Sequence, residues 1–327
     1  MKANRREFLT LAGAVGLVGG RTLSAAGTPA RREDQPGQPG GREGKTVKSR
    51  IRVVQIKVFP EKGKMAANHG KLMSVLGDIV GATGPQTHNS AFGSPMHASP
   101  VPDVAVTPEG FLDGYVSTES SVTKADMMNY AIDPATSEFT LEAAAWARRN
   151  ETWLIYGCTR REKDQVFNTA LIYDRSGSLV GMYDKLHLQK HDLKYAPGRH
   201  LSVYESDFGP FGVMICADRR WPETARTLTL RGARVIFNPT YGMRGDLNLC
   251  MMRTRSYENG IFIAFTHPGQ SLVTGPEGNV VCNEEDAAPT RGGAAGKTHV
   301  ITEIDLSKAP ANRGGHIADR RPDVYGL

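Results

Sequence analysis

Three residues of the 327-residue chain combine a reactive type with a position from which a side chain can act: Cys216, Lys185 and Glu109. Cys216 follows the apolar run Phe211-Gly212-Val213-Met214-Ile215 and precedes Ala217-Asp218-Arg219-Arg220-Trp221-Pro222-Glu223. Residues 212–215 read as a buried strand, and Pro222 opens a helix that Gly232 stops. A cysteine on such a strand-to-helix elbow stands clear of the backbone, where free N–H groups and the positive helix end favour a thiolate. A buried core cysteine is the alternative, because this residue type is often buried. Lys185 comes just after a strand over 178–182, and Glu109 stands in Pro108-Glu109-Gly110 at the carboxyl end of a strand over 103–107, where α/β layers place chemistry. Alone, a glutamate or a lysine reads as surface. Together the three supply a nucleophile, a proton carrier and a fixed cation for an oxyanion, which is what acyl transfer needs. No Gly-x-Ser-x-Gly elbow, phosphate loop or dinucleotide fingerprint competes.

The elements that must position these residues follow from periodicity. Residues 51–58 alternate as a strand and 65–80 have the apolar spacing of an amphipathic helix. Residues 81–102 form a loop carrying His88 and His97; with His69 upstream, these read as solvated histidines, not zinc ligands. A helix is predicted over 137–150 and strands over 152–159, 168–174 and 178–182, the last two joined by the turn 175–177. Beyond the helix ending at Gly232 come a strand at 233–238, a helix at 247–258, a strand at 261–266, a hairpin through 275–278 and a strand at 299–304. This alternation in both halves predicts a layered α/β architecture, two sheets packed face to face with helices outside. No internal repeat is visible, and the length allows one large domain or two small ones.

The formal charge of +6 arises in residues 1–50, which hold ten Lys and Arg against four Asp and Glu; the remainder is neutral and lacks the clustered positive face of a nucleic-acid binder. Asn4-Arg5-Arg6-Glu7-Phe8-Leu9, followed by the soft apolar stretch 9–20 and small residues at Ser24-Ala25-Ala26, resembles a twin-arginine export signal over 1–26. The apolar stretch is too short for a membrane span. Residues 27–50, rich in Pro, Gly and charge, are predicted to be a disordered linker before a domain at 51–327. Four widely spaced cysteines make neither a metal site nor a disulfide framework.

Val106-Thr107-Pro108-Glu109-Gly110-Phe111, Tyr183-Asp184-Lys185-Leu186-His187-Leu188 and Ile215-Cys216-Ala217-Asp218-Arg219-Arg220-Trp221-Pro222-Glu223, in that order, resemble the three signature motifs of the nitrilase superfamily of carbon–nitrogen hydrolases. The resemblance covers about residues 51–327, and Arg231-Gly232-Ala233-Arg234-Val235-Ile236 and Arg255-Ser256-Tyr257-Glu258-Asn259-Gly260 fall where members carry similar segments. It implies an αββα sandwich, a homodimer or larger homo-oligomer paired through helices near the nucleophile, and a Glu109-Lys185-Cys216 triad working without metal or organic cofactor. Asp218 to Glu223 and the ending Arg321-Pro322-Asp323-Val324-Tyr325-Gly326-Leu327 are most similar to N-carbamoyl-D-amino-acid amidohydrolases. Those enzymes place Asn after the nucleophile, where this chain has Ala217. The family's second glutamate, which steadies the lysine, has no obvious counterpart; Asp192 lies nearest its place.

The expected activity is therefore hydrolysis of a small amide or carbamoyl compound, with Lys185 and the Ala217 N–H holding the oxyanion and Arg219 or Arg220 reaching the pocket mouth to bind a carboxylate. In the alternative, one of these arginines pairs with Asp218 or Glu223 and braces the turn. Rival functions are a nitrilase, a catalytically silent sandwich used for binding, and an N-acyltransferase using the same thioester. A periplasmic or otherwise exported location is expected.

Overall fold

The computed structural model describes residues 47–81, 101–286, 297–309 and 315–325, all within the unit Thr46–Leu327. The export signal at 1–26, the linker up to residue 46 and the loop residues 82–100 with His88 and His97 lie outside the described residues.

Two six-stranded sheets form the centre. The first runs in the order β12 (His299–Asp305), β1 (Arg50–Ile56), β2 (Val104–Val106), β3 (Trp153–Glu162), β4 (Gln165–Tyr173), β5 (Leu179–Asp184). The second runs β11 (Val280–Glu285), β10 (Gln270–Thr274), β9 (Phe262–His267), β8 (Val235–Pro239), β7 (Phe211–Val213), β6 (Val203–Tyr204). Ile51, Val53, Val104, Ile155 and Ala170 of the first sheet interdigitate with Val213, Val235, Phe237, Phe262 and Ala264 of the second, all buried. These alternate along their strands, so one face of each sheet meets the other.

Helices cover both outer faces. On the first sheet, α1 (Met65–Gly81) turns Leu72, Val75, Leu76 and Ile79 inward, and α2 (Glu138–Arg149) adds Ala143, Trp146 and Ala147. On the second, Ala225 and Leu228 of α3 (Pro222–Leu230) and Met252 of α4 (Asp246–Asn259) close the other side. In α1, α2 and α3 the i, i+3, i+4 spacing of these apolar residues favours a helix and explains why one stripe of it is buried. The order of layers is αββα, as the sequence predicts.

Several boundaries differ from expectation, each for a physical reason. Lys48 already belongs to the folded unit, its N–H bonded to the Asp207 carbonyl and its ammonium to Asp103, so the linker ends before 50. The strand before Cys216 stops at Val213 because the Ile215 N–H goes to the Asp218 carboxylate instead of a ladder partner. β6 was not expected; two residues give no period to read. His69 is not solvated: it is buried in α1, bonded to Tyr156 at 3.0 Å and Glu142 at 3.0 Å. Among the described residues no helix is long and apolar enough to cross a membrane.

Candidate active site

Glu109 lies three residues beyond β2 on a turn pressed against β3. A Cβ on Gly157 would stand 2.3 Å from the Pro108 carbonyl oxygen, so only glycine lets this turn lie so close. Gly110 has φ 54°, which bends the chain back so that Tyr115 N–H bonds to its carbonyl at 2.8 Å. The Glu109 side chain is fully buried and its carboxylate is hydrogen-bonded on both oxygens: Lys185 Nζ at 2.8 Å and Asn168 Nδ2 at 2.8 Å donate to Oε1, and the Tyr241 N–H donates to Oε2 at 3.1 Å.

Lys185 directly follows β5. Its N–H donates to the Asn168 carbonyl and its own carbonyl accepts from Gly198, while Asp184 before it is gripped by Arg160 and Thr169. The ammonium, also buried, touches Glu109, Asp192 Oδ2 at 2.6 Å and the Tyr115 hydroxyl at 3.2 Å. Burial disfavours its charge, but Glu109, Cys216 and Asp192 outweigh that and hold it above the usual lysine range. Tyr115 in turn donates to Asp192, and burial with the charges of Glu109 and Asp192 keeps its hydroxyl protonated.

Cys216 sits at φ 45° on the elbow that opens a 3₁₀ turn, Cys216–Arg220. Such a conformation costs a non-glycine residue about 1–3 kcal/mol and persists only where surrounding bonds enforce it. Here the Asp218 carboxylate does so, accepting from Ile215 N–H, Tyr183 Oη at 2.7 Å, His187 N–H and His187 Nδ1 at 2.7 Å. Tyr183 and His187 flank Lys185, so one buried carboxylate ties the lysine segment to the Cys216 turn.

The expected thiolate is corrected. Cys216 is 5% exposed, and burial followed by the Glu109 charge pushes its thiol above the ordinary range; Lys185, Arg219 and the Gly242 N–H pull the other way without prevailing. Elbow amides and a helix end cannot make a thiolate once desolvation and a carboxylate oppose them. The resting group is a thiol beside a carboxylate.

Arg219 is buried, and its guanidinium donates to Asn248 Oδ1 at 2.7 Å, to the Met243 carbonyl at 2.9 Å and to Cys216 Sγ at 3.6 Å, lying over the Phe265 ring. Arg220 is exposed, and its carbonyl is held by Arg255. Among the described contacts neither arginine pairs with Asp218 or Glu223. Ala217 is buried in the same turn. Thus the fold brings Glu109, Lys185, Asp192, Cys216 and Arg219 together and leaves the Arg220 side chain outside.

Sequence reasoning missed Tyr115, Asn168, the Tyr241 and Gly242 amides and the Asp218 hub. A buried Tyr or Asn reads as ordinary core or loop, and backbone donors have no residue type to read. Tyr183, His187 and Asp218 were in view inside the motifs; only their convergence was hidden.

Residues 50–311 match the family described as carbon-nitrogen hydrolase. A nitrilase of Pyrococcus abyssi is 27% identical over 244 residues, 68% of this chain and 86% of the relative. An N-carbamoylputrescine amidase of Arabidopsis thaliana is 25% identical over 194 residues, 49% of this chain and 62% of the relative. Among solved structures, Nit3 of Saccharomyces cerevisiae, a member of branch 10 of the nitrilase superfamily, superposes with a TM-score of 0.62 at 19% identity, covering 81% of this chain and 94% of that one.

Proposed function

The chain belongs to the carbon–nitrogen hydrolase family of the nitrilase superfamily, and from that premise we propose that it hydrolyses a small amide or N-carbamoyl compound through a thioester on Cys216. The observation that carries this reading is the buried Lys185–Glu109 contact of 2.8 Å beside a thiol that burial, and then the Glu109 charge, keeps protonated. A thiol of raised pKa needs a base during attack, and Glu109 is the carboxylate whose charge reaches it.

In the proposed cycle Glu109 takes the Cys216 proton as sulfur attacks the carbonyl carbon. The developing oxyanion is held by the Lys185 ammonium and the Ala217 N–H. Glu109 returns the proton to the leaving nitrogen, the C–N bond breaks, and ammonia or an amine departs. The same carboxylate then deprotonates water, which releases the acyl group and restores the thiol. Asp192 helps to keep the lysine charged, and Asp192 and Tyr115 hold it in place throughout.

For the substrate, the guanidinium 3.6 Å from the sulfur favours a compound whose carboxylate lies a few bonds from the scissile carbonyl, as in an N-carbamoyl amino acid. Ala217 offers such a substrate no polar side chain. A Glu109→Gln or Lys185→Ala protein should lose kcat by orders of magnitude, and a panel of carbamoyl amino acids, neutral amides and nitriles scored by ammonia release tests the class. Normal turnover by the Glu109→Gln protein, or release from nitriles alone, would reject this reading.

Two further parts belong to the proposal. A homo-oligomer joined through α3 and α4 would cover the exposed Leu230, Leu247 and Tyr257, and light scattering measures it. Export through the twin-arginine route would be seen as export of a reporter fused to residues 1–30, blocked by Arg5→Lys with Arg6→Lys.

A further inference from the structure

The peptide joining Tyr241 to Gly242 stands between the nucleophile and a histidine that the proposed cycle does not use. Its nitrogen belongs to Gly242, which packs beside Cys216 so closely that a Cβ there would stand 3.9 Å from the sulfur, and its N–H pulls the thiol pKa down. Its carbonyl, on Tyr241, accepts from His267 Nε2 at 2.8 Å. No cis peptide is present among the described residues, and in a trans unit the carbonyl and the N–H point in opposite directions, so anchoring the oxygen aims the hydrogen.

The imidazole is set up for this single bond. Gly269 N–H donates to Nδ1 at 2.9 Å, which leaves the ring proton on Nε2 for the Tyr241 carbonyl. The ring is 5% exposed, stacked on Phe265 at an interplanar angle of 2° and met edge-on by Phe59 at 84°, so it cannot turn away. Burial, then the charge of Arg244, lowers its pKa to about 4, and it is neutral at ordinary pH.

The peptide needs such an anchor because its second residue is a glycine. Thr240 is still fixed to β9 through its N–H on the Thr266 carbonyl, but Gly242 has no side chain, and a Cβ there would meet the sulfur at an ordinary 3.9 Å. Glycine accepts positive φ as readily as negative, so flipping the Tyr241–Gly242 peptide carries little steric cost. A flip would turn the carbonyl oxygen toward the sulfur, replacing a donor with an acceptor just where negative charge must form.

We propose that His267 is a positioning residue that holds the Tyr241–Gly242 peptide in the orientation presenting its N–H to the Cys216 sulfur. The proposal rests on Cys216 being the nucleophile. His267 touches neither sulfur nor substrate; it acts through one polarised peptide, and its bond to the carbonyl strengthens the N–H as a donor.

The test uses the full chain with His267→Phe, which keeps a flat ring but no donor, and His267→Gln, whose amide nitrogen reaches about as far as Nε2. The readouts are the pH midpoint of Cys216 alkylation by iodoacetamide, kcat and KM on a hydrolysed amide, and the thermal midpoint. In His267→Phe the alkylation midpoint should rise by about one pH unit and kcat fall about tenfold, with KM changed less than about twofold. His267→Gln should recover most of both. If His267→Phe does not fold, His267→Asn supplies the same comparison, because its shorter amide serves Gly269 but not Tyr241. A lower thermal midpoint with an unmoved alkylation midpoint would show a merely structural histidine and overturn the proposal. Turnover by a Cys216→Ala protein would instead remove the nucleophile on which it rests, so the two failures are distinct.

Discussion

The Asp192 carboxylate lies 2.6 Å from the Lys185 ammonium, both side chains fully shielded from solvent, and Glu109 lies 2.8 Å from the same ammonium. One buried cation is thus shared by two carboxylates, of which one is the proposed base and the other, which also accepts from the Tyr115 hydroxyl, holds the lysine. The shorter acid reaches because the 3₁₀ turn Lys190–Asp192 closes toward the site, its carboxylate also accepting from the Gln189 N–H.

Removing Asp192 should be costly in both stability and rate. Breaking one partner from a buried pair costs about 3–5 kcal/mol, because the other charge stays buried. Asp192→Ala should show that loss in guanidinium denaturation, and Asp192→Asn, which keeps the shape, should fold while kcat falls at least about tenfold. Wild-type kcat in Asp192→Asn would confine this carboxylate to packing.

The four cysteines should separate cleanly. Cys216→Ala should abolish turnover with the thermal midpoint little changed, since the thiol removed is small. Cys158 is fully buried beneath the helices of the first sheet, so Cys158→Ala should cost about 1 kcal/mol of stability and no activity. Cys250 is exposed and Cys282 half-buried; alanine at either should pass unnoticed in both assays.

The two arginines should behave unlike each other. Arg219→Lys keeps the charge but not the fork that joins Asn248, Met243 and the sulfur, and should cost about 1.5–3 kcal/mol of discrimination for carboxylated over neutral amides. Arg220→Ala should leave that ratio intact. An unchanged ratio in both variants would point to a neutral amide substrate.

Acid should reveal two opposed titrations. His267 is depressed from 6.5 to about 4, chiefly by burial, so the unfolded chain takes the proton first; its stabilisation is full above 6.5 and lost as pH falls toward 4. Asp113 is pushed from 3.8 to about 6 by burial, against hydrogen bonds from Val116 and Thr159, so its contribution is full below 3.8 and lost as pH rises through about 6. Each displacement is worth about 3 kcal/mol. Relative to wild type, His267→Gln should gain stability between pH 7 and pH 4.5 and Asp113→Asn should lose it, measured by denaturant titration at both values. A parallel response of the two variants would contradict these signs.

The primary sequence by itself determined the layer order and singled out Glu109, Lys185 and Cys216, the three residues that the proposed cycle uses. Both depend on local information: the spacing of Leu72, Val75, Leu76 and Ile79 makes a helix with one apolar face, Pro222 and Gly232 punctuate α3, and each motif carries its reactive residue within a few positions of a strand end. What only the tertiary structure decided is how those residues meet. Glu109 and Lys185 are 76 positions apart and Glu109 and Tyr241 are 132 apart, so their contacts depend on sheet register and on the facing of two sheets, which no local propensity encodes. The same holds for the thiol. A strand-to-helix elbow favours a thiolate when read alone, but burial and the Glu109 charge raise the Cys216 pKa, and both appear only after the second sheet has closed over the first.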